Sequence, residues 1–171
     1  MEANKSLERV RNRFLTFLLE DEKYGIEILS VREIIGYQKA TPIPRSPVYV
    51  RGVLNLRGVL IPVIDLRAKL DMPPQEPQSY TAIVIVSIHE TSIGFIVDRV
   101  EEVKALSEDQ LSDPPRMGSK VDTEYIKQMA RIGEEVVLLL DLDHVVDIEE
   151  AKGLGELSGN NKSESKKEEG A

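Results

Sequence analysis

The sequence predicts a mainly β protein: two small five-stranded barrels packed on a shared apolar core, with few and short helices. Three observations predict it. Short runs rich in Val and Ile recur from residue 14 to residue 142, while helical periodicity is rare. The runs fall into two sets in the same order, which points to an internal duplication. Each copy is a unit of about 65 residues, too small for a sandwich, and curling its strands into a barrel removes most exposed edges.

Taken in order, residues 1–13 form a polar, flexible arm. "FLTFLLE" (14–20) and "YGIEIL" (24–29) read as strands, because β-branched and aromatic side chains favour the pleated backbone. "SVREIIG" (30–36) reads as one or two helical turns ending at Gly36, with Val31, Ile34 and Ile35 as an apolar stripe flanked by Arg32 and Glu33. Pro42, Pro44 and Pro47 mark an extended connection. "RGVLNL" (51–56) and "GVLIPVIDL" (58–66) are strands around a tight turn, and "DLRAKL" (65–70) starts a helix from an Asp cap. "DMPPQEPQS" (71–79) is the clearest linker. "TAIVIVSI" (81–88), "SIGFIVDRVEEV" (92–103) and "EEVVLLLDL" (134–142) are further strands, with His89 in a hairpin turn. "SDPPRMGS" (112–119) is a second long loop, and "DLDHVVDIEE" (141–150) a second Asp-capped helix. Residues 151–171 hold four Lys, four Glu, four Gly and no aromatic or β-branched side chain, so they read as a disordered tail.

The duplication pairs "YGIEILSVREI" (24–34) with "IGFIVDRVEEV" (93–103), so that Gly25 meets Gly94, Val31 meets Val100 and Ile34 meets Val103. It also pairs "RGVLIPVIDL" (57–66) with "IGEEVVLLLDL" (132–142), so that Gly58 meets Gly133 and the Asp-Leu ends coincide. The expected organisation is a barrel over 14–78 and a second over 79–150. They are joined around Pro73–Pro77 through aliphatic side chains, with the last helix packing back on the first barrel.

Composition narrows the chemistry. The 171 residues carry 30 acidic and 22 basic side chains, a formal net charge of -8. The arm carries +2 and the tail is neutral, so residues 14–150 carry -10. Nucleic-acid affinity rests on Lys and Arg neutralising phosphates, so a small-barrel nucleic-acid-binding module is the weaker alternative. Cysteine is absent, which excludes disulfides, thiolate metal sites and a Cys nucleophile and fits a reducing compartment. Two histidines, His89 and His144, do not make a multi-His metal site. No apolar run approaches the ~20 residues of a membrane helix, and the polar start holds no signal core, so a cytoplasmic protein is expected. There is no G-x-S-x-G, G-x-G-x-x-G or G-x-x-x-x-G-K string. Asp65, Asp98, Asp141 and Asp143 raise the question of Mg binding or acid–base work, and a hydrolase using Asp65 or Asp141 is a third class. Equivalent placement of Asp65 and Asp141 in the two copies favours a structural cap in each. No cofactor and no catalytic residue is expected.

Interaction chemistry is stronger. "VRGVLNLRGVLIPVIDL" places Arg57-Gly58 at the tip between two strands, where Gly58 supplies positive φ and Arg57 presents five donors on a rigid turn. Such an arginine suits carboxylate recognition and interface anchoring.

The ordered strings "FLTFLLEDEKYGIEILSVREIIGY", "TPIPRSPVYVRGVLNLRGVLIPVIDLRAKL" and "GFIVDRVEEV" closely resemble the CheW family of bacterial chemotaxis coupling proteins over about residues 14–149. The resemblance implies barrels of the Src-homology-3-like kind and no catalysis. It implies an adaptor that links the helical tips of chemoreceptors to the histidine kinase CheA, through that kinase's regulatory domain, in arrays at the cytoplasmic membrane face without membrane insertion. The family's receptor-binding positions fall on Val31, Glu33, Gly52 and Arg57, with Asn55 and Leu56 beside them. It places no kinase-contacting residue.

Overall fold

The computed structural model describes residues 12–114 and 124–157. Among these residues eleven strands carry the fold: β1 (Arg13–Leu19), β2 (Glu22–Glu27), β3 (Val31–Gly36), β4 (Val50–Leu56), β5 (Val59–Asp65), β6 (Ala82–Ile88), β7 (Thr91–Val97), β8 (Arg99–Ala105), β9 (Leu111–Ser112), β10 (Ile126–Ile132) and β11 (Glu135–Leu140). Among the described residues, three α-helices join them: α1 (Leu66–Lys69), α2 (Leu142–Val145) and α3 (Ile148–Leu157).

The strands build two sheets, in the orders β8-β1-β2-β11-β10-β9 and β3-β6-β7-β5-β4. Both are open in their hydrogen bonding, so the expected closed barrels are curled, Src-homology-3-like sheets of six and five strands. The five-stranded sheet comes nearest to closure. The chain after β3 returns to the far edge, where Thr41 and Val53 exchange backbone hydrogen bonds of 2.9 Å.

The sheets do not follow the division at 78/79. β1 and β2 belong to the six-stranded sheet with β8–β11, and β6 and β7 belong to the five-stranded sheet with β3–β5. Each half therefore lends a hairpin to the other. A period-2 pattern identifies a strand and its buried face, but its partner is a non-local choice that the pattern does not encode.

The duplication reappears as geometry. The two parallel joints are β5 on β7, with Val63 opposite Gly94, and β11 on β2, with Leu139 opposite Gly25. In each, a glycine faces the residue two before the terminal Asp, Asp65 or Asp141. The chain crosses between sheets at corresponding places, through a 3-10 turn at Ile28–Ser30 and at Asp98.

The aliphatic core has three parts. One lies inside the five-stranded sheet (Leu54, Ile61, Val63, Ile83, Ile85), and one inside the six-stranded sheet (Phe14, Ala130, Val137, Leu139). The largest lies between the sheets, where Leu15, Phe17 and Ile26 meet Val84, Val86 and Phe95. Fully burying such side chains stabilises by about 1.5–3 kcal/mol each, so this layer binds the sheets into one body.

Four local expectations change. Residues 31–36 are strand, because β-branched Val31, Ile34 and Ile35 pair along β6 and the ladder outweighs an i, i+3, i+4 reading. The run 92–103 is two strands broken at Asp98. β10, whose polar "IKQMARI" lacks a Val/Ile run, was not foreseen and is held by its hairpin with β11. Residues 151–157 are helix rather than tail: Ala151 and Leu154, one turn apart, are buried, and α3 packs on β5 and β7. The expectations for residues 1–11, for 158–171 and for most of the 112–119 loop lie outside the described residues.

Candidate functional site

Leu56 and Val59 close the β4–β5 hairpin, and Arg57 (φ 52°) and Gly58 (φ 86°) form its two-residue turn. Both take the left-handed conformation that matches the twist of a hairpin. The Asn55 Oδ1 accepts the Gly58 N–H at 2.9 Å and fixes the turn from within. Asn55 is thereby a turn residue first. Leu56 is half-buried against the core of the five-stranded sheet.

Glu33 stands on β3, at the opposite edge of that sheet from β4. Curling brings the edges together, and the guanidinium of Arg57 donates twice to the Glu33 carboxylate, Nη1 to Oε1 at 3.1 Å and Nη2 to Oε2 at 2.6 Å. The hydrogen bonds from Arg57 hold Glu33 below the usual carboxylate range and raise Arg57 in turn. The pair is open to water, with the Arg57 side chain 75% exposed and that of Glu33 34%. Its value to folding is accordingly small, and its geometry is what matters: a planar fork, pre-oriented at a rigid tip. The expectation of an arginine with free outward donors changes, since Arg57 already has a carboxylate partner.

The other positions separate. Val31, on β3, is half-buried and packs on the inter-sheet core. Gly52 lies at a bulge between Val50 and the rest of β4, with φ +136°. A Cβ there would lie 1.9 Å from the Thr41 carbonyl oxygen, so Gly52 permits the edge-to-edge bridge and offers no side chain to a partner. Beside the tip, Val59 and Leu60 are partly exposed, as is Ile34 on β3. The neighbours Val59 and Leu60 were not singled out in the sequence. Their signal was two large aliphatics directly after a turn, where the sheet offers little cover.

The aspartates are structural. The Asp65 carboxylate accepts the Arg67 N–H at 3.1 Å, capping α1, and the Arg51 Nη2 at 2.8 Å. Asp141 departs from the expected equivalence: its side chain makes no cap bond to α2 and lies 2.7 Å from His144 Nδ1, which donates to it. The Asp98 carboxylate holds Arg67 through Nε at 2.7 Å and Nη2 at 2.5 Å. His89 sits in the β6–β7 turn with φ 48°. A cavity of about 580 Å³ opens between Tyr37, Arg51, the Pro74–Gln78 linker and Tyr80. Its buried charges, Asp65 and Arg67, are satisfied by one another's neighbourhood, and among the described residues no buried side-chain N or O lacks a partner. No cluster of three or more His, Asp or Glu poised for a metal occurs among the described residues. Nor, among them, is any helix long and apolar enough to cross a membrane.

A duplicated, two-sheet Src-homology-3-like body that carries a rigid arginine tip belongs to the class of small β scaffolds. Residues 13–150 match the CheW-like domain. The chain is 36% identical over 143 residues to the chemotaxis protein CheW of Klebsiella aerogenes, covering 84% of this chain and 86% of that one. It is 32% identical over 141 residues to the chemotaxis protein CheW of Bacillus subtilis, covering 82% and 90%. Among solved structures, the scaffolding protein TtCheW from Thermoanaerobacter tengcongensis superposes with a TM-score of 0.75 at 29% identity, covering 82% of this chain and 95% of that one. The chain belongs to the CheW family, the scaffold and adaptor proteins of chemotaxis.

Proposed function

We propose that this chain couples chemoreceptors to the histidine kinase CheA, allowing receptors to control kinase autophosphorylation and helping to assemble arrays at the cytoplasmic membrane face. The single observation that carries the receptor half of this reading is the Arg57–Glu33 fork on its rigid turn, bordered by the part-exposed Ile34, Val59 and Leu60. A receptor tip is a helical hairpin, so the mode is helix against an apolar surface, with the aliphatics supplying area at ~25 cal/mol per Å² and Arg57 supplying register. Receptor acceptors compete with Glu33 for the guanidinium or share it, since an arginine has five donors. Val31, Gly52, Asn55 and Leu56 support the surface from beneath: Gly52 by letting the sheet edges meet, Asn55 by fixing the turn. The kinase docks apart from this tip. The charge of -10 on residues 14–150 opposes the nucleic-acid alternative.

Arg57→Glu places a second carboxylate against Glu33. Binding to a receptor cytoplasmic fragment, measured by calorimetry, is expected to weaken about tenfold or more, which is ~1.4 kcal/mol. The circular-dichroism spectrum and binding to CheA are expected to stay unchanged. Equal loss of receptor and kinase binding, or an unfolded spectrum, overturns the assignment of this tip.

A further inference from the structure

The sheet topology leaves each half of the chain incomplete. The first half, through Gln78, holds β3, β4 and β5 of one sheet but only β1 and β2 of the other. The second half completes both, with β6 and β7 inserted between β3 and β5, and β8 and β11 flanking β1 and β2. Four strand pairs therefore cross between halves, and the largest core cluster draws on both.

Charged contacts repeat the pattern. The buried ammonium of Lys69 donates to Glu150 Oε2 at 2.6 Å, and the same oxygen accepts the Tyr49 hydroxyl at 2.6 Å. Arg67 binds Asp98, Lys23 binds Glu135 at 2.9 Å, and Lys127 binds Glu27 at 2.9 Å. The linker between the halves contributes little by comparison. Residues 74–80 are exposed and without regular structure. The linker's ties at Pro73 and Gln75 run to Arg67, within the first half. Among the described residues, the linker's own hydrogen bonds across the Gln78–Ser79 peptide are the local ones between Gln78 and Thr81.

We infer that each half is the obligate binding partner of the other, and that the covalent link between them is dispensable once they have met. The surface that the first half presents is a specific docking site for the strands and helix of 79–171, and the reverse. The interface is a sheet-and-core interface of the obligate kind, larger and more apolar than a transient one. The candidate receptor surface depends on it: Glu33 and Arg57 both come from the first half, yet β6 and β7 of the second half span the sheet between the edges that hold them.

The test starts from the full chain with a protease site inserted between Gln78 and Ser79, cut after folding. The cut protein is expected to elute as one particle of the intact mass at ~1 µM and to keep its circular-dichroism spectrum. Separated in denaturant, each piece alone is expected to show no cooperative unfolding transition, and equimolar mixing restores a single one. Pieces that part on gel filtration without denaturant overturn the inference, as does either piece unfolding cooperatively on its own.

Discussion

At the scale of single residues, Gly52 shows how a position implied for partner binding can act through the backbone. The Thr41 carbonyl occupies the space a Cβ would need, and φ +136° is closed to other side chains. Gly52→Ala is therefore expected to lower stability by roughly 2–3 kcal/mol in urea unfolding, through strain and loss of the Thr41–Val53 bridge. An unchanged midpoint would show that the edges part without loss. Arg57 and Glu33 make the complementary case. The turn was legible, because Arg57-Gly58 between two Val-rich runs states its own geometry locally. The pairing with Glu33 was not, because it spans 24 residues and exists only when opposite edges of one sheet curl together. Asp65 caps its helix as its sequence context implies, whereas Asp141, with the same context, turns to a histidine three residues on.

At the scale of elements, α3 was hidden by averaging. Counted over 151–171, the composition is that of a chain with nothing to bury; counted over 148–157, Ala151 and Leu154 form a buried stripe, and Glu150 reaches Lys69. The start of α3 is set by Asp147, whose carboxylate accepts the Glu150 N–H at 2.8 Å. That backbone hydrogen bond is the leading reason Asp147 is held below its ordinary value of 3.8. A carboxylate depressed in the folded state stabilises fully above its unfolded value, and the contribution is lost as pH falls through the folded one. Asp147→Asn keeps an acceptor for the cap but removes the titration. The variant is expected to unfold in acid with a shallower dependence on pH below about 4, followed by far-ultraviolet circular dichroism. Matching profiles for the two proteins would show that the cap's charge plays no part. The strand β3 teaches a related lesson: Val31, Ile34 and Ile35 stand at the i, i+3, i+4 spacing of a helix, only Val31 and Ile35 share a strand face, and the β6 ladder rather than the spacing decides.

At the scale of the whole molecule, the repeat was legible as aligned strings, and the exchange of hairpins between its copies was not. The two parallel joints are where that exchange is made, and both need a glycine. Their surroundings differ in a way that can be measured. A Cβ on Gly25 would come within 2.8 Å of Leu139 Cδ2, the end of a side chain that can rotate away. A Cβ on Gly94 would come within 2.9 Å of Ile83 Cγ2 and 3.3 Å of Ile85 Cδ1. The Ile83 methyl is fixed to a branched β carbon in a fully buried strand, where χ1 has little freedom. Overpacking a well-filled core costs about 1–3 kcal/mol, and relief depends on what can move. Gly94→Ala is thus expected to lose stability within that range, and Gly25→Ala distinctly less, with the same dependence on urea concentration in both. Equal losses would mean that the two joints relax alike, and that the shared register of the duplication, rather than the side chains packed on them, sets their tolerance.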